Sequence, residues 1–308
     1  MIKRTLYFGS PAYLSLSNCQ LVITKPDDGD LPFEDIKATR KTIPVEDIGI
    51  VILDNRQITI TEALMASLLD NNVALITCDE KSMPCGLMLP LYGNTIQSER
   101  FRHQIESSMP LKKQLWQQTI EHKVRNQAAV LKYVSGEDAR NMLIWAGSVK
   151  SGDSENIEAR AAAFYWKNIF PDIPYFVRDR NEMSPNNLLN YGYAILRAIV
   201  ARSLVASGLL PTLGIHHHNR YDAYCLADDI MEPYRPYVDK VVVDIVRSGR
   251  NTSILSKELK TILLGIPVMD VNIDGKRSPL MVGVFTTTTS LQKCFMGESR
   301  KIIYPEMA

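Results

Sequence analysis

The chain has 308 residues, of which 45% are hydrophobic and 22% are charged, and its formal net charge is +1. This composition is that of a folded globular protein with room for two hydrophobic cores, and it excludes a disordered or low-complexity chain. The five cysteines are odd in number and form no CxxC pair, which argues against a disulfide framework and against a structural zinc site. No apolar run approaches the ~20 residues that span a bilayer, and the first residues lack the apolar region of a signal peptide. We therefore expect a cytoplasmic protein with no membrane attachment.

Charge is distributed unevenly along the chain. Residues 1–90 contain 8 Lys and Arg against 12 Asp and Glu, a net charge of −4, and the remaining residues contain 27 against 22, a net charge of +5. A modest basic excess is compatible with a polyanionic partner such as nucleic acid, but solvated lysines produce the same excess in many proteins that bind none.

The first ninety residues have the pattern of a small β-rich domain. Short apolar stretches between turn-forming residues predict strands at residues 4–8, 13–17, 20–24, 48–53 and 73–77. One helix is predicted after Thr61, its N-cap, with Leu64 and Leu68 on one face. The polar segment at residues 25–41 is predicted to be a loop. Several strands with one helix favour a β-sandwich or a curled sheet with a helix at one end.

The pattern changes after residue 84, where the sequence PCGLMLPLYGN is dense in Gly and Pro. We predict a linker at residues 91–95 and a larger domain at residues 96–308 in which the apolar spacing is mostly helical. Two of its predicted helices begin at Pro110 and near Asp153. Five more are predicted at residues 138–147, 186–207, 238–247, 253–264 and 289–296. Asp274 and Gly275 form a DG turn that predicts a β-hairpin. The predicted fold class is α+β, with a β-sandwich-like N-terminal domain followed by a mostly α-helical C-terminal domain.

The segment at residues 208–236 has the most distinctive chemistry of the chain. Three consecutive histidines, at residues 216–218, precede a predicted helix that carries Asp228, Asp229 and Glu232. On a helix, Glu232 shares a face with Asp229 (i, i+3) and with Asp228 (i, i+4). Carboxylates this close repel one another unless a cation or a basic partner lies among them, so the pattern predicts a divalent-metal site. A carboxylate majority with an imidazole favours Mn²⁺ or Mg²⁺ over Zn²⁺.

Two arrangements of the histidines are compatible with this site. Successive side chains of an extended segment point in opposite directions, so either His217 alone or His216 together with His218 faces the carboxylates. A nucleophilic enzyme is less well supported, because the chain has no GxSxG motif and nothing marks Cys225 as an activated thiol.

Glu158 is a further acidic residue of interest. It lies near the start of a predicted helix, where Ala161 and Ala162 follow at i+3 and i+4 and leave room for another helix to approach its carboxylate. By position alone, a glutamate there is more often a solvated residue that interacts favourably with the helix dipole.

At these residues the chain resembles the integrase of CRISPR adaptation, the metal-dependent DNA endonuclease numbered first among the CRISPR-associated proteins. The resemblance covers nearly the whole length. It includes the acidic β-rich start, the linker ending in LYGN, the helix that carries Glu158, NYGY at residues 190–193, and GIHHHN…CLADDIMEPYRP at residues 214–236. The MEPYRP form is similar to the branch called type II, which accompanies the single-protein RNA-guided nucleases.

The resemblance implies both a function and a site. In the family, one Glu, one His and one acidic residue bind Mn²⁺ or Mg²⁺, and the matching positions here hold Glu158, His217 and Glu232, with Asp229 where a supporting acid often stands. The implied reaction inserts new spacer DNA into a CRISPR array by attack of DNA 3′-hydroxyls on repeat phosphodiesters. The residues suit this chemistry independently, since two carboxylates and an imidazole leave coordination positions open for a phosphate.

The implied partners are double-stranded DNA (protospacer and CRISPR repeat), a second copy of the chain, a dimer of the small second CRISPR-associated protein in a heterohexamer, and further type II adaptation proteins. We expect residues 1–90 to dimerise and to hold the bridging protein, and residues 96–308 to carry the active site and the DNA. The phosphate contacts are expected from Lys112, Lys113, Arg235, Lys240 and Arg247. Two alternatives belong to other functional classes, namely a non-catalytic DNA-binding scaffold whose acidic cluster is structural, and a hydrolase of small phosphoesters.

Overall fold

The computed structural model describes residues 3–25, 40–179 and 183–307. The chain divides into two compact units, Met1–Gly93 and Asn94–Ala308. The first unit is rich in strands and the second is mostly helical, which confirms the predicted α+β class. Most of the loop predicted at residues 25–41 lies outside the described residues.

The described part of the N-terminal unit contains two four-stranded sheets. Its strands are β1 (Arg4–Phe8), β2 (Ala12–Ser17), β3 (Gln20–Thr24), β4 (Lys41–Pro44), β5 (Ile48–Leu53), β6 (Ile58–Ile60), β7 (Ala74–Cys78) and β8 (Pro84–Met88). One sheet has the order β1-β5-β7-β8, in which the first three strands are parallel and β8 is antiparallel to β7. The other has the order β4-β3-β2-β6, in which β6 is parallel to β2.

The core of this unit combines side chains of both sheets with those of α1 (Glu62–Asp70). Leu14, Leu21 and Ile48 come from strands and Leu64 and Leu68 from α1, and all five are fully buried. Because each strand alternates inward and outward side chains, its apolar residues fill the space beside the helix.

Three strands of the N-terminal unit are absent from the sequence-based prediction, namely β4, β6 and β8. The strand β8 lies in the Gly- and Pro-rich segment where no strand is predicted, and it is stabilised by pairing with β7. Thr61 precedes α1 as predicted, but its side chain makes no capping hydrogen bond.

The second unit is built from helices and a small sheet. The helices are α2 (Gln97–Ile105), α3 (Met109–Ser135), α4 (Arg140–Ser148), α5 (Ile157–Asn168), α6 (Asn186–Ala206), α7 (Cys225–Met231), α8 (Arg235–Arg247), α9 (Lys257–Leu263) and α10 (Leu280–Phe295). The sheet has the order β10-β9-β11 and is formed by β9 (Asp270–Ile273), β10 (Lys276–Pro279) and β11 (Pro305–Glu306).

The hairpin β9-β10 turns at Asp274 and Gly275, as predicted, and both residues have a positive φ, 51° and 70°. The helix that follows begins at Leu280, whereas the sequence predicts its start only at Thr289.

Two long helices organise the second unit. The helix α3 begins at a capping contact, in which the Ser108 side chain accepts from the Leu111 amide, and ends at Gly136 in the left-handed conformation. Among the described residues, α6 is the one helix that is long and apolar enough to cross a membrane. However, 72% of its most apolar stretch is buried within the protein. The helix α8 packs closely on α6 at Gly192. A Cβ at this residue would lie only 2.5 Å from Val238 Cγ1, so the close approach depends on glycine. These features are those of a core helix.

Candidate active site

Glu158 is positioned by the first turn of α5. The carboxylate of Asp153 accepts hydrogen bonds from the backbone amides of Ile157 (2.8 Å) and Glu158 (2.9 Å). These amides have no acceptor within the helix, so Asp153 both caps α5 and fixes the backbone that carries Glu158.

Glu232 lies at the turn between α7 and α8. The helix α7 ends at Met231, and Glu232 begins a short 3-10 turn that contains Pro233. The buried Asn126 of α3 donates a hydrogen bond to the Pro233 carbonyl (2.8 Å) and another to the Pro305 carbonyl (3.0 Å). This contact holds the turn, and therefore Glu232, against α3.

The two glutamates meet on one lysine. Nζ of Lys123, on α3, lies 2.7 Å from Oε1 of Glu158 and 2.6 Å from Oε2 of Glu232. The two carboxylate oxygens are therefore no further apart than the sum of these distances. Arg235 lies on the other side of Glu232, with Nε 2.9 Å from Oε1. Two carboxylates and two basic groups make this buried cluster electrically neutral.

The environment shifts the pKa values of this cluster. Burial raises the pKa of Glu232, but the charges of Arg235 and Lys123 outweigh it and lower the pKa to about 2. Burial lowers the pKa of Lys123, but the charges of Glu232 and Glu158 raise it above its usual value. Both side chains are therefore charged at neutral pH.

His217 is held by Asp229, whose carboxylate is fully buried. Nδ1 of His217 donates to Oδ1 of Asp229 over 2.5 Å, which leaves Nε2 to bind a cation. The hydrogen bond to Asp229 raises the pKa of His217 in spite of burial, and the charges of Asp229, Glu232 and Glu158 raise it further. His217 is thus electrostatically coupled to both glutamates.

The backbone before His217 is tightly packed. We call residues 214–218 the histidine loop. Oδ2 of Asp229 accepts from the amides of Ile215 (2.7 Å) and His216 (2.9 Å). A Cβ on Gly214 would lie 2.3 Å from the His217 carbonyl oxygen and 2.8 Å from Oδ2 of Asp229. The loop can therefore take this path only because residue 214 is glycine.

The other histidines of the loop have different surroundings. The ring of His216 stacks on the buried ring of Trp116, with centroids 4.2 Å apart and parallel planes, and Trp116 also meets the His217 ring edge-on at 5.5 Å. Burial and the neighbouring His217 lower the pKa of His216. Of the histidines at residues 216–218, His217 is the one whose ring contacts a carboxylate of α7.

Asp228 belongs to a separate ion pair. Nε and Nη2 of Arg197, on α6, lie 2.6 Å from its two carboxylate oxygens in a bidentate arrangement. The three carboxylates of residues 228, 229 and 232 therefore do not share one cation, and separate partners, among them the basic groups that the pattern also allowed, offset their repulsion. Asp228 pairs with Arg197, and Asp229 accepts hydrogen bonds from the histidine loop. Glu232 pairs with Lys123 and Arg235.

The structure brings two of the three predicted ligands, Glu158 and Glu232, onto one positive charge, and places His217 beside Asp229. Within residues 3–25, 40–179 and 183–307, no three His, Cys, Asp or Glu side chains stand as a ready metal-binding group. The donor set nevertheless suits a hard divalent cation, because two carboxylates already converge on a cationic group and an imidazole nitrogen is left over.

A groove of about 430 Å³ opens beside the histidine loop. Its lining includes Lys112, Gly214, His217, His218 and Arg220. Basic side chains beside a histidine suit a phosphate-containing ligand.

Sequence reasoning misses the roles of Lys123 and Trp116. Both lie on the buried face of α3, where Trp116, Ile120, Lys123 and Gln127 follow at spacings of four, three and four residues. A lysine at an interior position of an apolar helical face needs a buried counter-charge, and that is the signal that could have found it.

Three of the predicted phosphate-contacting residues are engaged within the protein. Arg235 pairs with Glu232 and lies over the Tyr193 ring at 4.6 Å. Lys240 pairs with Asp244, and Arg247 donates to backbone carbonyls at the end of α3. Carboxylates partly neutralise Arg235 and Lys240, and Arg247 has donor groups occupied by carbonyls, which leaves Lys112 and Lys113 as the stronger candidates for DNA.

Comparisons with known proteins identify similar chains and folds. Residues 6–264 match the family model described as CRISPR associated protein Cas1. The CRISPR-associated endonuclease Cas1 of Neisseria meningitidis serogroup C is 35% identical over 95% of this chain and 92% of its own length. The fold is similar to that of a casposase bound to integration product, with TM-score 0.77, 20% identity and coverage of 98% of this chain and 92% of the other. A chain of a Cas6-RT-Cas1–Cas2 complex matches with TM-score 0.74, 18% identity and coverage of 97% and 36%. At these identities the two structural matches show the fold alone.

Proposed function

Because the chain belongs to the Cas1 family of CRISPR-associated proteins, we propose that it is a metal-dependent DNA endonuclease and integrase of the type II branch. It inserts new spacer DNA into a CRISPR array by attack of DNA 3′-hydroxyls on repeat phosphodiesters. Nicking and integration are the same displacement at phosphorus with water or a 3′-hydroxyl as the nucleophile. The similarity to the meningococcal endonuclease, and to the fold of a casposase that was captured with its integration product, supports this activity.

The observation that carries the proposal is the convergence of Glu158 and Glu232 on one cationic position. The two residues come from separate elements, and each is fixed by a dedicated contact, from Asp153 and from Asn126 respectively. Burial of an unpaired carboxylate destabilises the folded state, so the fold must supply cationic partners where these two carboxylates converge. Mg²⁺ or Mn²⁺ is the proposed cofactor, with Glu158, His217 and Glu232 as its ligands and as the catalytic residues.

Asp229, Arg235 and Trp116 would support the metal ligands in different ways. A bound divalent cation would neutralise the charge that develops on the phosphate and activate the attacking oxygen. Asp229 keeps His217 in the tautomer that presents Nε2, as a carboxylate behind a ligating histidine does. Arg235 neutralises the second oxygen of Glu232 and so limits the charge at the site. Trp116 packs against the rings of His216 and His217 and so supports the histidine loop.

The groove beside His217 is the proposed path of the DNA backbone. Lys112 and Arg220 line it, and Arg220 contacts the neutral hydroxyl of Tyr221. Phosphate contacts would make duplex binding fall with salt, by roughly 0.9 log unit per log unit of salt for each phosphate neutralised.

We further propose the partners that the family resemblance implies. They are protospacer and repeat DNA, a second copy of the chain, a dimer of the second CRISPR-associated protein in a heterohexamer, and further type II adaptation proteins. Residues 1–90 would provide the dimer contact and residues 96–308 the DNA contact, consistent with net charges of −4 and +5 on the two sides of residue 90. The similarity to a chain of a Cas6-RT-Cas1–Cas2 complex supports the second-protein partner. The proposed location is the cytoplasm, with no membrane contact.

The test is strand transfer of a duplex with 3′-hydroxyl ends into a supercoiled plasmid that carries the repeat. Full-length protein is expected to transfer strands with Mn²⁺ or Mg²⁺, to lose the activity in EDTA, and to regain it when Mn²⁺ is added in excess. Duplex binding without strand transfer under every metal condition would instead identify a non-catalytic scaffold. Turnover of a chromogenic phosphoester without DNA would identify a hydrolase of small phosphoesters.

A further inference from the structure

Lys123 has an unusual position for a lysine. Its side chain is 11% exposed, and its ammonium lies between carboxylates from two other elements, at 2.7 Å and 2.6 Å. Lysine is almost never buried unless it is paired, and here one ammonium makes both pairs.

A divalent cation held by Glu158 and Glu232 needs the same carboxylate oxygens that Lys123 contacts. Two cations a few ångströms apart in a buried site repel each other strongly. Lys123 and Arg235 already balance the negative charge of the two glutamates. The two positive charges of a divalent cation would therefore have no carboxylate left to balance them. The ammonium and the divalent cation therefore exclude each other.

Lysine is well suited to such an exchange. Its ammonium is a point charge on a flexible stem of four carbons, so it can leave the carboxylates by rotation without a change in the backbone of α3. The planar guanidinium of Arg235 is by contrast held over the Tyr193 ring at 4.6 Å and is the fixed charge of the cluster.

We propose that Lys123 is an internal competitor for the metal: its ammonium bridges Glu158 and Glu232, and a divalent cation binds to these glutamates only by displacing it. Lys123 is thus a positioning residue, which holds the two carboxylates at the spacing of a shared cation and sets the metal affinity of the site. This inference rests on the proposed function, because it concerns the same carboxylates. It adds a residue and a cation exchange to that function.

The test compares the full-length wild-type protein with Lys123→Met, which keeps an unbranched side chain, one heavy atom shorter, but removes its charge. Mn²⁺ binding is measured by isothermal titration calorimetry without DNA, and thermal unfolding is followed in EDTA and in saturating Mn²⁺. Lys123→Met is expected to bind Mn²⁺ roughly tenfold more tightly or better, since the competing charge is gone. Its Tm is expected to fall below that of the wild type in EDTA, and saturating Mn²⁺ is expected to close most of the gap.

A purely structural ion pair gives a different result. In that case Lys123→Met lowers Tm equally in EDTA and in Mn²⁺, and its affinity for Mn²⁺ is unchanged or weaker, which overturns the inference. Lys132→Met is the matched control, because Lys132 lies on the same helix but pairs with Asp138 at an exposed position. It should change neither quantity. If Lys123→Met does not fold, Lys123→Gln removes the charge but keeps a hydrogen-bond donor, and the same change in affinity is expected.

Strand transfer by the wild-type protein separates this inference from the proposed function. If transfer requires Mn²⁺ or Mg²⁺ but the variants bind the metal no more tightly, the exchange is wrong and the function stands. If the wild type neither binds Mn²⁺ nor transfers strands, and Lys123→Met also binds none, both fail and Lys123 is a structural residue. Tight binding by Lys123→Met alone supports the exchange and contradicts a metal-dependent function of the wild type.

Discussion

Asp229 holds His217 through both its ring and its backbone: Oδ1 lies 2.5 Å from Nδ1 of the ring and 3.3 Å from the backbone nitrogen. The other oxygen of the same carboxylate accepts from the amides of Ile215 and His216. One buried side chain of α7 therefore sets the path of the histidine loop and the tautomer of its central residue. Three amides and one ring nitrogen depend on this acceptor.

Replacing Asp229 by Asn should weaken metal binding at His217. The amide keeps one acceptor oxygen and adds donor hydrogens that face the backbone amides, so the loop loses part of its support. Changes behind a ligating histidine typically cost 10–100-fold in metal affinity or activity, and we expect a loss in this range. Calorimetric titration with Mn²⁺ and plasmid strand transfer measure it.

Asp228→Asn is the matched control, because it removes the neighbouring carboxylate of α7, which pairs with Arg197 and does not contact the loop. Its metal affinity should stay close to that of the wild type. An equal loss in both variants would mean that the charge of α7, and not the contact with His217, is what matters.

Removing Glu232 should abolish strand transfer and also destabilise the protein. The sequence alone suggests that loss of an acidic ligand relieves repulsion and leaves the fold intact, but Glu232 compensates the buried charges of Lys123 and Arg235. Breaking a buried pair by removing one partner costs about 3–5 kcal/mol, and we expect a loss in this range for Glu232→Ala. Glu158→Ala should cost less, because the Glu158 side chain is 24% exposed, but should abolish strand transfer as well.

Urea unfolding in EDTA measures these stability changes. Glu121→Ala is the control, since Glu121 forms an exposed i, i+4 pair with Arg125 on α3. Such pairs are worth about 0.3–0.5 kcal/mol. Wild-type stability in both Glu232→Ala and Glu158→Ala would show that the contacts of Lys123 contribute nothing to folding.

A methyl group at residue 214 should displace the histidine loop. The added carbon would meet the His217 carbonyl oxygen at 2.3 Å, far inside van der Waals contact, and backbone must move to relieve it. We expect Gly214→Ala to lose about 1–3 kcal/mol of stability, as overpacked sites do. A drop in strand transfer should accompany it, since the displaced backbone carries His217.

Gly147→Ala provides the comparison, because Gly147 lies in α4 and a Cβ there would meet no atom within 4 Å. It should leave strand transfer unchanged and stability equal or slightly higher. Equal activity of the two alanine variants would show that the loop tolerates the shift.

The buried Asp239 should make stability depend on pH. It accepts hydrogen bonds from the hydroxyls of Tyr165 (2.8 Å) and Tyr193, yet burial raises its pKa to about 6 against the hydrogen bonds and the charges of Arg235 and Arg178. The folded state thus holds the proton more tightly than the unfolded state, where the pKa is about 3.9. This contribution to stability is complete below about pH 3.9 and is lost as the pH rises through about 6.

Asp239→Asn should remove this dependence. We expect the stability of the variant relative to the wild type to increase by roughly 2–3 kcal/mol between pH 4 and pH 7.5, because each pKa unit is worth about 1.36 kcal/mol. Urea unfolding of both proteins in EDTA at several pH values gives the difference, in which other titrating groups cancel. A difference that is flat across this range would show that Asp239 titrates alike in the folded and unfolded states.

Features that depend on neighbouring residues could be predicted from the sequence. The hairpin at Asp274 and Gly275 needs two residues that accept a positive φ, and both are provided by adjacent positions. Similarly, Pro110 lies near the start of α3, where the sequence predicts the helix to begin. In the site, the proximity of His217 and Asp229 follows from a short connection within one segment.

Features that depend on distant contacts could not be predicted in this way. The strand β8 contains Pro84 and Gly86, which oppose strand formation locally, but pairing with β7 stabilises it. The early start of α10 depends on packing, since Gly283 lets the helix approach Val271 closely. The bridging position of Lys123 depends on residues 35 and 109 positions away, and no local pattern links it to them.

The groove beside the histidine loop should bind DNA through Lys112. Replacing Lys112 by Ala removes one positive charge from the lining that also contains His217. We expect the slope of log K against log salt to become shallower by roughly one unit, with a nearly uniform loss of affinity across duplex sequences. Fluorescence anisotropy of a labelled duplex, titrated with full-length protein over a salt series, measures the slope.

Lys257→Ala tests whether any lysine would give this result. Lys257 begins α9 and does not line the groove, so its removal should leave the salt slope unchanged while altering the net charge by the same amount. Because long-range attraction between solvated charges is screened over about 8–10 Å at moderate salt, a lysine acts on the slope mainly through direct contact with a phosphate. Equal slopes for Lys112→Ala and the wild type would place the duplex on another surface of the protein and remove the groove from the proposed function.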